Sequence, residues 1–344
     1  MHELSKMIKD DMKPALGVTE PGAIAFAVAK ARSFTKGDIK KVNVAMNSGM
    51  YKNAFTCGIP NSNEVGNIFA AALGVVAGNA DKGLESLADV TPEDNVKAQE
   101  MIDQGKITVE LSGITSRIFI EATVETEEDK AIVTIRDSHT NITKIIVNDK
   151  VELETEDEKK TEEDGGEEES HSIHKYTLQQ LYDYVTTVDI EEIRFINEAY
   201  KVNLELFHEG LENPRTTFAR QLLAINNGKE VSDDEQKTAS LMCNAAIEAR
   251  VIGLDKPAMS ITGSGAHGII ATMPLYAAYK VNGYTEEQLL RATALSYLVC
   301  MYIKEYSGRL SAFCGCAIAA GSGMACALVY LRGGTVEMMA HTLN

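Results

Sequence analysis

The chain has 344 residues, 44% hydrophobic and 24% charged, which is enough for a sizeable core and for one large or two moderate domains. A formal charge of −17 argues against phosphate-backbone binding and against an anionic membrane surface, so neither nucleic acid nor membrane is an expected partner. Six cysteines in a chain of this size make no disulfide framework, and Met1 to Lys13 lacks a signal-like apolar run. A cytoplasmic location is therefore expected, with thiols free for ligation, catalysis or packing.

In chain order, residues 2 to 33 predict helix with a break at Gly17-Val18-Thr19-Glu20-Pro21-Gly22, Pro21 suiting the first turn of an Ala-rich helix from Ala23 to Arg32. Val42, Val44 and Met46 alternate on one face, which predicts a strand over 40–46, and a loop follows through Asn47-Ser48-Gly49 and Gly58-Ile59-Pro60-Asn61. The small, apolar stretch Glu64 to Gly78 predicts a buried helix, with another over about 92–104. The period then drops to two. Lys106 to Leu111, Ile118 to Glu125, Ala131 to Arg136 and Asn141 to Asn148 predict a small, mostly antiparallel sheet.

Residues 152–169 hold eleven carboxylates against two lysines, a net of −9 and about half of the whole charge, so this run predicts a mobile, self-repelling surface connection. Beyond it, Thr177 to Val188, Ile190 to Leu206, Thr216 to Ala224, Asp233 to Ile252, Thr285 to Lys304 and Ser311 to Tyr330 all predict helix. The expected class is α+β. Residues 1–36 and 175–344 form a large all-helical domain, 37–150 a sheet-containing domain with helices near 64–104, and 151–174 the acidic connection.

Two segments carry chemistry. Ser311 to Cys326 is built almost wholly from small residues and three thiols, a backbone suited to close approach, with soft ligands for iron–sulfur or zinc. Thr262-Gly263-Ser264-Gly265-Ala266-His267-Gly268-Ile269 combines glycines that free backbone N–H groups for an anion with an imidazole that titrates near neutrality. The same glycines would suit the phosphate of pyridoxal phosphate. That chemistry needs a Schiff-base lysine, and no lysine stands in a convincingly apolar, small-residue setting, so pyridoxal phosphate is not expected. Cys314-x-Cys316 lacks a second pair at zinc-finger spacing, and no Gly-x-Ser-x-Gly elbow supports a serine hydrolase. Ser138-His139-Thr140-Asn141 offers hydroxyl, imidazole and amide groups for a polar ligand, or ordinary turn chemistry.

Taken together, Lys13-Pro-Ala-Leu-Gly-Val-Thr-Glu-Pro21, Lys52-Asn53, Ser138-His-Thr-Asn-Ile142, Gly263-Ser-Gly-Ala-His-Gly-Ile269 and Arg309-Leu-Ser-Ala-Phe-Cys314 resemble the L-cysteine desulfidase family, related to the α subunit of iron–sulfur L-serine dehydratases. The resemblance spans essentially the whole chain. It implies a four-iron, four-sulfur lyase that converts L-cysteine to sulfide, ammonia and pyruvate, with serine dehydration as the nearest alternative reaction. It further implies Cys314 as a cluster ligand and His267 and Ser264 as catalytic groups. Lys52, Asn53, His139, Thr140, Asn141, Gly263, Gly265 and Arg309 fall around a small amino-acid substrate.

In the family pattern the first motif reads Gly-Cys-Thr-Glu-Pro, with Cys as a ligand where this chain has Val18, and a third ligand lies downstream of Asn344. A truncated member is therefore expected. A cluster-free remnant that binds an amino acid or a partner without turnover is the expectation of another class. The expected assembly is a homodimer, with the active site at the domain junction.

Overall fold

Three helix starts are written locally as Thr-x-x-Asp or Thr-x-x-Gln: Thr91 with Asp94, Thr177 with Gln180 and Thr285 with Gln288 each exchange reciprocal side-chain and backbone bonds. The computed structural model describes residues 1–59, 62–115, 117–155, 172–308 and 314–344. Its first part runs α1 (Glu3–Asp11), β1 (Lys13–Leu16), α2 (Thr19–Arg32), β2 (Ile39–Asn47), α3 (Ser48–Ala54), α4 (Asn67–Ala77), α5 (Pro92–Asp103), β3 (Ile107–Gly113), β4 (Phe119–Thr126), β5 (Lys130–Arg136), β6 (Ile142–Val147) and β7 (Lys150–Glu154). The rest runs α6 (Leu178–Thr187), α7 (Ile190–Ile193), α8 (Asn197–Glu212), α9 (Phe218–Ile225), α10 (Glu235–Val251), β8 (Pro257–Ser260), α11 (Gly265–Asn282), α12 (Glu286–Ser307), α13 (Ser322–Leu331) and α14 (Val336–Leu343). The class is α+β, as expected.

Two units result. The first comprises Met1–Leu16 and the described residues from 172 onward, the second the described residues of 17–155. In the second, six strands lie in the order β3-β2-β4-β5-β6-β7, parallel only between β2 and β3. The period-two reading of β2 holds: Val42, Val44 and Met46 are fully buried, each side chain contributing about 1.5–3 kcal/mol of transfer free energy. They share one core with Ile24 and Val28 of α2, Leu73 of α4 and Ile120, Val124 and Val133 of the sheet. Because α2 packs there, the boundary expected after residue 36 falls instead after Leu16.

Three further expectations are corrected. The helix predicted to continue from α1 to the break at Gly17 gives way to β1, because Pro14 lacks a donor and pushes Lys13 into extended backbone. The segment after β2, expected as loop, forms α3. The buried Asn47 ends β2 by donating from Nδ2 to the Thr115 carbonyl at 3.0 Å and accepting the Phe119 N–H at 3.1 Å. The start of the acidic run is a strand: β7 pairs with β6, and Lys144–Glu154 and Lys150–Glu152 pairs charge this exposed edge. Residues 156–171 lie outside the described set.

The helical unit contains one short strand pair, so it is not all-helical. β8 pairs antiparallel with β1, and the buried Asn203 of α8 locks it in place. Asn203 Oδ1 accepts the Met259 N–H at 2.9 Å while Nδ2 donates to Thr272 at 3.0 Å. The start of α9 is capped from α10. Glu248 accepts the N–H groups of Thr217, Phe218 and Ala219 at 2.7–3.0 Å; burial raises its pKa, but these bonds win and hold it below the usual range. The small-residue run after residue 314 does serve close packing. A Cβ on Gly323 would stand 2.2 Å from the Ser296 carbonyl oxygen, so α13 lies on α12 backbone to backbone.

Candidate functional site in the helical unit

β8 delivers the chain into a two-residue turn before α11. Ile261 and Ser264 exchange both backbone bonds, 3.3 and 3.1 Å, across Thr262 (φ 54°) and Gly263 (φ 72°). Positive φ at both central positions is the type I′ pattern, which suits Asn-Gly. A β-branched threonine there costs on the order of 1–3 kcal/mol. The Asp11 carboxylate accepts the Thr262 N–H and helps to hold the turn. Ser264 occupies the cap position of α11 without a side-chain bond to its first turn. This helix of 18 residues thus presents its positive end beside the glycines predicted from sequence.

One turn in, His267 is 6% exposed and its Nδ1 lies 2.6 Å from Thr262 Oγ1. Its Nε2 faces Gly315, where a Cβ would stand 2.8 Å from that nitrogen and 3.4 Å from Cδ of Lys304. Any side chain at 315 would displace the imidazole. Arg250 lies nearby, its Nε 2.7 Å from where a Cβ of Gly265 would be. Arg250 and Lys304 are 7% and 6% exposed, so two cations are buried around one imidazole. Burial first, then Lys304 and Arg250, push the His267 pKa down to about 4. At neutral pH the ring is an uncharged base in a positive surround.

That depression couples to stability. Between pH 6.5 and about 4 the unfolded chain takes up a proton at this position that the folded chain does not, so stability falls as pH falls through that window. The expected loss is on the order of 2–3 kcal/mol. Urea unfolding at pH 7 and pH 4.5 checks it: a His267→Gln chain should show a pH slope shallower by that amount, and equal slopes would refute the coupling.

The thiols gather loosely around the same place. Cys314 is exposed and shares a hydrogen bond with Cys316, and Cys243 and Cys300 lie near enough to Cys316 that a thiolate there would raise their pKa further. Burial pushes Cys316 up to about 11 and Cys243 and Cys300 up to about 12, so these thiols stay protonated. Among the described residues no three His, Cys, Asp or Glu side chains are grouped to hold a metal ion. Val18 caps α2 with an isopropyl group. The described residues therefore do not fit a four-iron, four-sulfur cluster, for which Cys314 alone supplies an exposed thiol.

Of the remaining predicted site residues, Ser264, Gly263, Gly265 and Cys314 belong to this unit. Lys52, Asn53, His139, Thr140 and Asn141 belong to the sheet-containing unit. There Asn53 meets the first motif: its Nδ2 donates to the buried Glu20 at 2.8 Å, while Lys52 on α3 is exposed. His139, half-buried, and Thr140 and Asn141, both exposed, make the β5–β6 turn, where Asn141 Nδ2 donates to the Arg136 carbonyl at 3.1 Å. Arg309 lies outside the described residues.

Sequence reasoning missed Arg250, Lys304, Thr262 and Asp11. Arg250 and Lys304 sit near the ends of long helices, where basic residues are ordinary, and no local pattern marks them as buried. Lys304 is buried, with its stem beside Gly315.

A neutral imidazole between buried cations at a long helix's positive end is equipped to seat an anion and move a proton. Comparison with known proteins agrees in class. The family described as Serine dehydratase alpha chain matches residues 81–344. UPF0597 proteins of Clostridium botulinum (strain Langeland), Caldanaerobacter subterraneus subsp. tengcongensis and Bacteroides fragilis are 39%, 36% and 34% identical to it. They align over 98%, 96% and 99% of this chain and 78%, 77% and 79% of their own lengths. The chain belongs to the UPF0597 group of serine dehydratase-like lyases. No solved structure matches it. Among the described residues no helix is long and apolar enough to cross a membrane.

Proposed function

We propose that the chain is an α,β-eliminating amino-acid lyase that converts L-cysteine to sulfide, ammonia and pyruvate. The observation that carries this reading is the uncharged, buried His267 flanked by Arg250 and Lys304 at the start of α11. The two cations and the first N–H groups of α11 hold the α-carboxylate. A bound carboxylate cancels part of the positive potential at the imidazole and raises its basicity toward neutrality, where a general base works best. Nε2 then takes the α proton, the C–S electron pair leaves with sulfur as hydrosulfide, and the aminoacrylate tautomerises to an imine. Water hydrolyses that imine to pyruvate and ammonia. L-Serine is the nearest alternative substrate, with hydroxide leaving from the same β carbon.

The test is anaerobic incubation with iron and sulfide, followed by assays for pyruvate and sulfide from L-cysteine and for pyruvate from L-serine. Pyruvate from cysteine is the expected result; no pyruvate from either amino acid, with iron or without, would overturn the lyase. The lack of a ligand trio among the described residues favours a second reading, an amino-acid binder without turnover. Calorimetric binding of cysteine or serine to iron-free protein that forms no pyruvate would select it.

A further inference from the structure

We propose that Thr262 is the positioning residue that sets the tautomer of His267, keeping the proton on Nδ1 and leaving the Nε2 lone pair facing Gly315. The assignment follows from counting hydrogens at one hydroxyl. Thr262 Oγ1 stands 2.7 Å from the Ile261 carbonyl oxygen and 2.6 Å from His267 Nδ1. A carbonyl oxygen only accepts, so the single hydroxyl proton goes to Ile261. The hydroxyl oxygen then accepts from the other neighbour, the Nδ1–H of His267. Every donor is used and no lone pair meets another.

The backbone supports the same conclusion. Asparagine or glycine would suit position 262 better, yet the chain places a threonine in the left-handed region there. Its conformation is held by the Asp11 carboxylate on its N–H and by the Ile261–Ser264 bridge. What the strained residue supplies that glycine lacks is the hydroxyl on the imidazole. The charged and titratable groups around that ring, Arg250 of α10, Lys304 and Cys300 of α12 and, beyond Thr262, Asp11 of α1, come from three helices.

The proposal rests on His267 acting as the base, but its primary test does not. Long-range proton–nitrogen NMR on histidine-labelled protein at pH 7, with the His267 signal identified by its loss in His267→Gln, reads the tautomer directly. The wild type is expected in the Nδ1–H form. Thr262→Ser should keep it, while Thr262→Gly, which relieves the backbone, should fold with an unchanged or higher melting temperature and lose it. In the elimination assay Thr262→Gly should lower kcat by about 10- to 100-fold with little change in KM, and Thr262→Ser should stay within about threefold of wild type. A wild-type Nε2–H tautomer, or an unchanged Nδ1–H signature in Thr262→Gly, would overturn the assignment. The NMR result stands even if no pyruvate forms, so the two failures are told apart.

Discussion

His267→Gln is expected to lower kcat for L-cysteine by about 10²–10⁴-fold, the loss typical of removing a positioned general base. Glutamine is close in reach to the imidazole and has an amide that can bond Thr262, so the turn and the start of α11 should persist. It has no atom basic enough to take an α proton. The amino acid should still bind, because the proposed hold on its carboxylate comes from Arg250, Lys304 and the helix N–H groups, so KM should change by no more than about threefold. Steady-state assays of sulfide and pyruvate, with circular dichroism to verify the fold, test this. Turnover within tenfold of wild type would remove His267 from the mechanism.

The second large effect is expected at Arg250. Methionine matches the aliphatic volume of an arginine that is 7% exposed while deleting its charge and donors. Binding of L-cysteine should weaken by about 10- to 100-fold, in keeping with the loss of a charge-assisted bond of about 1.5–3 kcal/mol. The His267 pKa should rise from about 4, because one of the two cations depressing it is gone, although burial, the larger cause, remains. Calorimetry gives the first quantity and an NMR pH titration of the ring the second. Unaltered cysteine affinity would place the carboxylate elsewhere.

Much of the fold was legible in the chain. Val42, Val44 and Met46 on alternate positions identified β2, the β-branched stretches identified β3 to β6, and Thr177 and Thr285 marked where helices begin. Such features are local, because the side chain that caps or alternates acts within a few residues of itself. β1 and β8 were missed because each is only four residues long and is stabilised by the other, 244 positions away. The assignment of α2 to the sheet-containing unit was missed for a similar reason. An Ala-rich helix buried on nearly every side has no polar face to announce which surface it will cover.

The candidate site divides along the same line. By itself, the sequence determined that Gly263 to Ile269 gathers glycines around a histidine, that Cys314 stands in a run of small residues, and that the chain resembles a family of amino-acid lyases. Only the tertiary structure decided that Arg250 and Lys304 are buried against Gly265 and Gly315, that Thr262 holds the imidazole, and that Cys316, Cys243 and Cys300 are kept protonated. The physical reason is that desolvation and Coulomb interaction depend on distance in space. Residues 250, 267, 304 and 315 are strangers in sequence, and their mutual effect on a proton exists only once the chain has folded them around one ring.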